Sequence, residues 1–391
     1  MDRFPSRYSN LEAARKLFGD RVDRLGRYFD VADELADGVI EAIDKLPKGE
    51  GWRLFERGIT HGAASIPEAP AVMRELIADA EHVPAWVDWG TCDGGGALLM
   101  RAGPLGGAVL GARSLVLGYA SPGGNKPLVF SGRLKEQASR RVNETARFVQ
   151  AVCRPGGMRP LAEGWQITLK VRLIHAQVRK MILRSGRWKN EAWGLPANQH
   201  DMAGTTLLFS VAIIDGLRKL GMRISPEEAE RYVHLWRWIG RVIGVHSDVL
   251  PASEAEGMRL ADLISMTMGE PDQDSRDLTK ALFEAAFDNC KTRKQIRDAE
   301  RNVLFGRLVC RELIGDELAD KLEVPRSTLR HGWPMMKRFI AGVERVTRVV
   351  PYGTQGAVAV GSRYWDRVVE IGLQGATYEF PLPRALASLA A

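Results

Sequence analysis

The segment KVRLIHAQVRK, residues 170–180, places a histidine and two arginines among hydrophobic residues. Its pattern predicts a helix, on which Arg172, His175 and Arg179 fall at i, i+3 and i+7 and therefore share one face. A fully solvated helix would not surround them with valine, leucine and isoleucine, and a plain core helix would not place two arginines there. This face predicts a partly buried polar site.

A second polar face lies in the preceding predicted helix, in the segment RVNETARF. Arg141, Glu144 and Thr145 share one side of that helix with Phe148. The two helices are consecutive and are joined by the segment RPGGMRP, which is rich in glycine and proline. They are therefore expected to lie antiparallel or crossed, an arrangement that could hold a ligand between them.

Residues of these types suit a haem site. A neutral histidine is the usual axial ligand of haem iron, and an arginine is a charge-assisted partner for a carboxylate such as a haem propionate. On the opposite side, an arginine and a threonine hydroxyl could donate hydrogen bonds to iron-bound dioxygen. The alternative is a buried salt-bridge network in which Arg141 or Arg172 pairs with Glu144, beside a core histidine. Spacing alone leaves both interpretations open.

The elements that carry these faces belong to a chain that is helical almost throughout. Apolar residues recur at i, i+3 and i+4, and breaks rich in glycine and proline separate the segments. The predicted helices are 31–46, 70–83, 133–153, 165–183, 205–221, 226–245, 277–290 and 335–350. Alternating strand patterns are limited to short pieces at 356–361 and 376–381. The sequence predicts an all-α protein that forms one large helical domain.

The composition of the chain limits the classes of protein to which it could belong. The 391 residues include 55 basic and 48 acidic side chains in an interleaved pattern, which is weak support for nucleic-acid binding. The four cysteines form no CxxC pair, so reduced thiols are expected and a zinc-finger framework is excluded. The amino terminus lacks an export signal, so the cytoplasm is the expected location. The apolar run at 97–120 carries two arginines, a proline and five glycines, which favours a buried helix over a membrane anchor.

The two polar faces together resemble a known family. The pattern R-x-x-H-x-x-x-R at 172–179, preceded by R-x-x-x-T at 141–145, is similar to that of the rubber oxygenases, or latex clearing proteins, and the fungal mpaB oxygenases. The resemblance runs from about Gly96 to Pro251. Its further matching pieces are SGRL at 131–134, the Gly-Gly loop at 156–157, LPANQHDMAGTTLLFS at 195–210 and YVHLWRWIGRVIGV at 232–245.

The resemblance implies a haem b oxygenase with a globin-like helical core. His175 would be the axial ligand of the iron, and Arg141 and Thr145 would line the oxygen-binding side. Arg172 and Arg179 would orient the histidine helix and offset propionate charge. The implied partners are dioxygen and an apolar unsaturated small molecule whose C=C bond is cleaved or oxidised. The implied division is an N-terminal extension at 1–95, an oxygenase core at 96–251 and a C-terminal extension at 252–391.

One residue departs from the family pattern. Latex clearing proteins have a lysine directly before the threonine, where it can occupy the sixth coordination position, whereas this chain has Glu144. An ionised carboxylate cannot donate a hydrogen bond, so the iron is expected to hold water or to stand open, or Glu144 could accept a proton. Since no export signal is present, a small intracellular alkene or lipid is a better expectation than polymeric rubber.

Two other functions stay open at this stage. One is a haem-binding sensor without turnover. The other is DNA binding through a helix-turn-helix at 315–332, with Ser327, Thr328 and Arg330 on the second helix, although Gly332-Trp333-Pro334 would stop that helix within two turns. The remaining histidines are interpreted as structural. His200 belongs to a helix-capping cluster, and His234 and His246 are too far apart in sequence for an HxxxH metal pair.

Overall fold

The computed structural model describes residues 4–130, 138–288 and 290–373, and these residues are helical with no β-strand. The only strand-like feature among them is an isolated antiparallel bridge between Tyr8 and Met268. The all-α prediction is confirmed. The strand piece expected at 356–361 is wrong, because those residues lie inside a long helix, and the piece expected at 376–381 lies outside the described residues.

The described part of the first third of the chain contains nine α-helices and a π-helix. In order they are α1 (Leu11–Phe18), α2 (Arg21–Gly26), α3 (Glu34–Asp44), α4 (Glu50–His61), α5 (Ala71–Glu81), α6 (Trp89–Ala102), α7 (Pro104–Val109), a π-helix (Leu110–Leu115), α8 (Val116–Tyr119) and α9 (Lys126–Phe130).

The middle of the chain supplies the two helices with polar faces and those that pack around them. These are α10 (Ala138–Cys153), α11 (Glu163–Arg184), α12 (Asn190–Trp193), α13 (Gln199–Phe209), α14 (Val211–Lys219) and α15 (Pro226–Val242). The last third of the described chain contains α16 (Glu254–Thr267), α17 (Gln273–Glu284), α18 (Arg293–Ile314), α19 (Asp316–Lys321), α20 (Trp333–Val349) and α21 (Gly353–Leu373).

Side-chain caps set where several of these helices begin. Asp33 accepts from the Ala36 amide at the start of α3, and Asp88 accepts from the Thr91 amide at the start of α6. The Ser225–Glu228 pair forms a capping box at α15, with Pro226 at its first position. Each cap satisfies amides that have no partner inside the helix, and this explains why the sharp breaks seen in the sequence coincide with helix ends.

Two long predicted helices are interrupted. The run at 97–120 is divided at Gly103, whose φ of 48° lies in the left-handed region, and Pro104 then starts α7. The run at 205–221 is divided at Ser210, which leaves the helical region with φ −105° and ψ −93°. The periodic pattern continues through both breaks because the flanking helices bury the same kinds of residue, so periodicity alone did not locate them.

The main hydrophobic core extends from Ala36 on α3 to Trp365 on α21. Its largest fully buried side chains include Trp165, Trp238 and Trp365. Helix α6 lies in this core against α15 and α21. Glycines allow these helices to cross closely, since a Cβ on Gly361 would overlap the carbonyl oxygen of Met100 on α6. No helix in the described residues is long and apolar enough to span a bilayer.

Candidate functional site

The two predicted polar faces lie on α10 and α11, which pack against each other. The connection between them is tight. A Cβ on Gly157 would overlap the carbonyl oxygen of Ala151, and the Trp165 amide donates to the carbonyl of Gly157 at 3.0 Å. The Trp165 indole is fully buried and donates to the carbonyl of Ala80 at 3.2 Å, which fixes the start of α11 against α5. The glycines in RPGGMRP thus bring the two faces into neighbouring positions.

Arg172 holds α11 to the beginning of α3. Its guanidinium donates to both oxygens of Asp33, at 2.6 and 3.0 Å, and also approaches the carbonyl of Val242 at 3.4 Å. The arginine side chain is 6% exposed and the aspartate 13%. Such a bidentate contact fixes the orientation of the arginine relative to the carboxylate as well as their distance.

Arg179 repeats the arrangement two turns further along. It donates to the carboxylate of Asp37 at 2.7 and 2.9 Å and to the carbonyl of Ala197 at 2.9 Å. Burial raises the pKa of Asp37, and the charge of Arg179 opposes that rise. Both arginines therefore orient the histidine helix through α3. Their contribution to propionate charge stays a prediction, because carboxylates of the chain itself are their observed partners.

His175 lies between these two ion pairs and is half-buried. Its Nδ1 atom is buried, and neither ring nitrogen has a hydrogen-bond partner among the described residues. Burial and, to a smaller extent, the charge of Arg179 lower the pKa of His175 to about 4, although Asp33 opposes the shift. The imidazole is consequently neutral at physiological pH. A neutral ring with unsatisfied nitrogens is a suitable metal ligand, and an orphaned polar atom of this kind needs an explanation.

The surroundings of His175 on its own helix are apolar and only partly covered. Ile174 and Val178 are half-buried, and they belong to none of the packed clusters formed by the described residues. Val171, one turn earlier, packs against the main core. The ring therefore lies where α11 changes from a packed face to an apolar surface that the hydrophobic clusters of the described residues do not cover. Such a surface is suited to a flat apolar ligand.

Arg141 and Thr145 on α10 are half-buried. Burial raises the pKa of Tyr119, and the positive charge of Arg141 opposes that rise; the same charge contributes to the lowered pKa of His175. Arg141 therefore lies within electrostatic reach of both rings. The structure thus brings the predicted arginine of α10 near the predicted histidine of α11.

Glu144 has a different partner from the one considered in the sequence. Its carboxylate accepts from Arg140 at 3.1 Å, one turn earlier on α10, and Arg172 pairs with Asp33. The alternative in which Arg172 pairs with Glu144 is therefore wrong. A salt-bridge network does exist beside His175, but α3 supplies its acidic partners.

Sequence reasoning missed Asp33 and Asp37. They lie 139 and 142 residues from their arginine partners, so no local pattern connects them. The available signal was their spacing of four residues at the start of a predicted helix, which places two carboxylates on one face. Two such carboxylates match two arginines on another helix, but many other acidic pairs in the chain have the same spacing.

The other histidines have structural surroundings. His200 is 7% exposed and stacks on Phe29 with ring centroids 3.9 Å apart, while Asn198 caps α13 by accepting from the Asp201 amide. His234 accepts from the Asp88 amide at 3.1 Å. His246 caps a short 3₁₀ turn by accepting from the Asp248 amide at 3.2 Å. The capping prediction for the 198–201 cluster is confirmed.

A cleft of about 570 Å³ lies elsewhere, between α8, α13, α16 and the end of α18. Its lining includes Gly118, His200, Leu207 and Met258, but not His175, Arg141 or Thr145. The described residues contain no group of three or more histidine, cysteine or acidic side chains that could hold a metal ion. His200 in the lining of this cleft also has both ring nitrogens buried without a hydrogen-bond partner, but its ring stacks on Phe29 and its Nδ1 lies 3.5 Å from Asp201. The ring of His175 lies instead beside the half-buried Ile174 and Val178 on its own helix.

The helix-turn-helix reading is not supported by the local structure. The first predicted helix exists as α19, but residues 328–332 form a single 3₁₀ turn instead of a second helix. Arg330 pairs with Asp316 at 3.2 Å. A recognition helix needs several exposed positions along one face, and a 3₁₀ turn does not provide them.

These features define an all-α protein with a neutral, unpartnered histidine on a helix held by two arginine–aspartate pairs. The profile of the family described as "ER-bound oxygenase mpaB/B'/Rubber oxygenase, catalytic domain" matches residues 99–349. The chain belongs to this oxygenase family.

Individual relatives agree with this assignment. The rubber oxygenase of Streptomyces sp. (strain K30) is 24% identical over 323 residues, which cover 80% of this chain and 77% of that protein. The solved structure of latex clearing protein LCP in the closed state superposes with a TM-score of 0.67 at 18% identity, covering 87% of this chain and 90% of that one. That structural likeness establishes the shared fold.

Proposed function

We propose that this protein is a haem b-dependent oxygenase that uses dioxygen to cleave or oxidise a C=C bond of an apolar, unsaturated small molecule. The observation that carries the proposal is His175, whose neutral imidazole has no partner for either ring nitrogen in the described residues of an oxygenase-family chain. A buried polar atom left without a partner is costly unless something satisfies it. An iron ion bound through a ring nitrogen would do so.

The residues present fit such a group. The imidazole of His175 would hold the iron, and Ile174 and Val178 would provide apolar surface beside it. Arg172 and Arg179 fix the orientation of the helix that carries this ring through their contacts with Asp33 and Asp37. Haem b would supply the activation of dioxygen, and the protein chain would supply the ligand, the polar groups and the exclusion of water.

The residues of α10 have separate proposed roles. Arg141 and the Thr145 hydroxyl would donate hydrogen bonds on the oxygen-binding side and hold the reacting oxygen in place. Glu144 would accept a proton there, provided that it exchanges its ion pair with Arg140 for a contact with the reactants. Because a glutamate stands at position 144, where the family has a lysine, this position would not supply a nitrogen ligand to the iron.

Purified protein tests the haem assignment. After haem-supplemented expression, the wild type is expected to be red with a Soret absorption band, and His175→Ala is expected to lose that band while remaining folded by circular dichroism. His234→Ala is the matched control, because its ring has a defined partner, the Asp88 amide. A colourless wild type, or a Soret band that persists unchanged in His175→Ala, contradicts the proposal.

Oxygen consumption separates the oxygenase from a haem-binding sensor. Arg141→Ala and Thr145→Ala should retain the Soret band but consume less oxygen in the presence of an unsaturated apolar compound, because hydrogen-bond donors in such sites typically contribute about 10²–10³-fold in rate. Unchanged consumption in both variants would remove these residues from the proposed machinery. A haem-loaded wild type that consumes no oxygen with any unsaturated compound would indicate a sensor.

A further inference from the structure

Helix α20 exposes an unusual amount of apolar surface. Seventeen large apolar side chains are exposed among the described residues, and eight of these fall between positions 335 and 352. They are Met335, Met336, Phe339, Val343, Val346, Val349, Val350 and Tyr352, with exposures between 42% and 82%. Single exposed apolar residues are normal, but a contiguous group marks a surface that is covered by something else.

The exposed residues form one continuous stripe. Positions 335, 339, 343, 346 and 350 follow steps of four, four, three and four residues, which keep them on one side of the helix. The opposite side faces the protein, where Trp333 is buried and Glu344 pairs with Arg101 at 2.5 Å. The stripe continues into the turn before α21, where Tyr352 is 82% exposed.

Basic residues without partners flank this stripe. Arg338 and Arg345 are exposed, lie two helical turns apart directly before Phe339 and Val346, and have no ion-pair partner among the described residues. Arg363 and Arg367 on α21 are also exposed without such a partner. By contrast, Arg348 at the protein-facing side pairs with Glu228 at 2.6 Å.

The charges near α20 indicate which kind of partner could cover the apolar stripe. Residues 333–373 carry six basic and three acidic side chains, and no acidic side chain lies on the outward side of α20. Glu344 is buried, and Asp366 pairs with Arg154. A second copy of the chain would bring arginines opposite the same stripe without carboxylates to pair with them. An anionic surface with an apolar interior satisfies both features.

We propose that the outward face of α20, with the turn at 349–352, binds peripherally to an anionic lipid surface. The apolar stripe would enter the boundary between headgroups and acyl chains, while Arg338 and Arg345 would contact lipid phosphates. This surface is independent of His175 and does not require haem. It would hold the protein beside a membrane.

Vesicle co-sedimentation of the purified full-length protein tests this surface. The wild type is expected to bind phosphatidylcholine vesicles that contain phosphatidylglycerol, more weakly as salt rises, and to bind pure phosphatidylcholine poorly. Arg338→Gln combined with Arg345→Gln should reduce affinity about 25-fold, since each basic residue near an anionic surface contributes about a 5-fold effect. Phe339→Asp combined with Val346→Asp should abolish binding.

Leu17→Asp is the matched control, because Leu17 is 71% exposed on α1, outside this surface. It should bind vesicles like the wild type. The inference is overturned if the wild type does not bind anionic vesicles, if Leu17→Asp loses binding equally, or if the wild type forms a dimer that Phe339→Asp disrupts while vesicle binding is absent. Because the altered side chains are exposed, circular dichroism should be unchanged, and the arginine pair provides a second variant set that removes no apolar contact.

Discussion

At the scale of single residues, His175 depends on contacts that its own helix does not supply. The helix that carries the ring is fixed by Arg172 on one side of His175 and Arg179 on the other, and these arginines pair with Asp33 and Asp37. The histidine and both arginines could be identified from sequence, since their spacing and apolar neighbours set them apart. Their carboxylate partners could not, because the pairing depends on how α3 and α11 pack.

Asp33→Ala should destabilise the protein strongly. It leaves the buried guanidinium of Arg172 without its main partner, and breaking a buried pair from one side typically costs about 3–5 kcal/mol. Asp23→Ala is the control, since it removes an arginine–aspartate pair of the same 2.6 Å separation with side chains 44% and 40% exposed, for which about 0–1 kcal/mol is expected. Urea unfolding measures both free energies, and equal costs would contradict the positioning role of Asp33.

The lowered pKa of His175 predicts a pH dependence in protein prepared without haem. The unfolded chain has the ordinary histidine pKa of 6.5, and the folded chain has a pKa of about 4. Between these values the unfolded state binds more protons, so the free energy of unfolding should fall as pH decreases from 6.5 to 4. The stability that depends on the neutral His175 ring is fully present above pH 6.5. His175→Leu should lack it, so the stability difference between wild type and variant should change across this window.

That comparison has a clear negative outcome. If the wild type and His175→Leu lose stability in parallel between pH 6.5 and pH 4, the ring is not held in its neutral form. Nuclear magnetic resonance titration of the His175 ring carbons gives an independent reading.

At the scale of helices, close crossings fix how the elements meet. Helix α21 lies directly against α6 because Gly361 has no side chain. Gly361→Ala would place a methyl group into the Met100 carbonyl, and the crossing would have to open, at a cost of about 2–3 kcal/mol or more. Gly356→Ala, one and a half turns earlier on the same helix, meets no atom within 4 Å and should be neutral or stabilising by up to about 1 kcal/mol.

Thermal unfolding of these two alanine variants provides the measurement. A similar midpoint for both would show that the crossing tolerates a methyl group and would contradict the packing argument. The helix at 353–373 was partly predicted to be a strand, because its alternating small residues resemble one.

At the scale of the whole molecule, the all-α class and most helices follow from periodicity and breaks. What could not be predicted is where long periodic runs are divided. Gly103 and Ser210 redirect the chain while burial continues on both sides, so the apolar pattern shows no gap there. The helix-turn-helix pattern was misleading in the opposite way, because it suggested a second helix where residues 328–332 form a 3₁₀ turn. The next helix, α20, begins directly afterwards at Trp333-Pro334.

The paired clamps on α11 also bear on how a cofactor would be acquired. Salt bridges one turn before and one turn after His175 set the rotation of this helix about its axis. The side of the helix on which the imidazole lies is therefore fixed when the chain folds. Capture of a cofactor would then require little rearrangement of this helix, because its orientation is already fixed before the encounter. Recruitment should therefore be governed by the arrival of the cofactor, with the receiving scaffold preorganised.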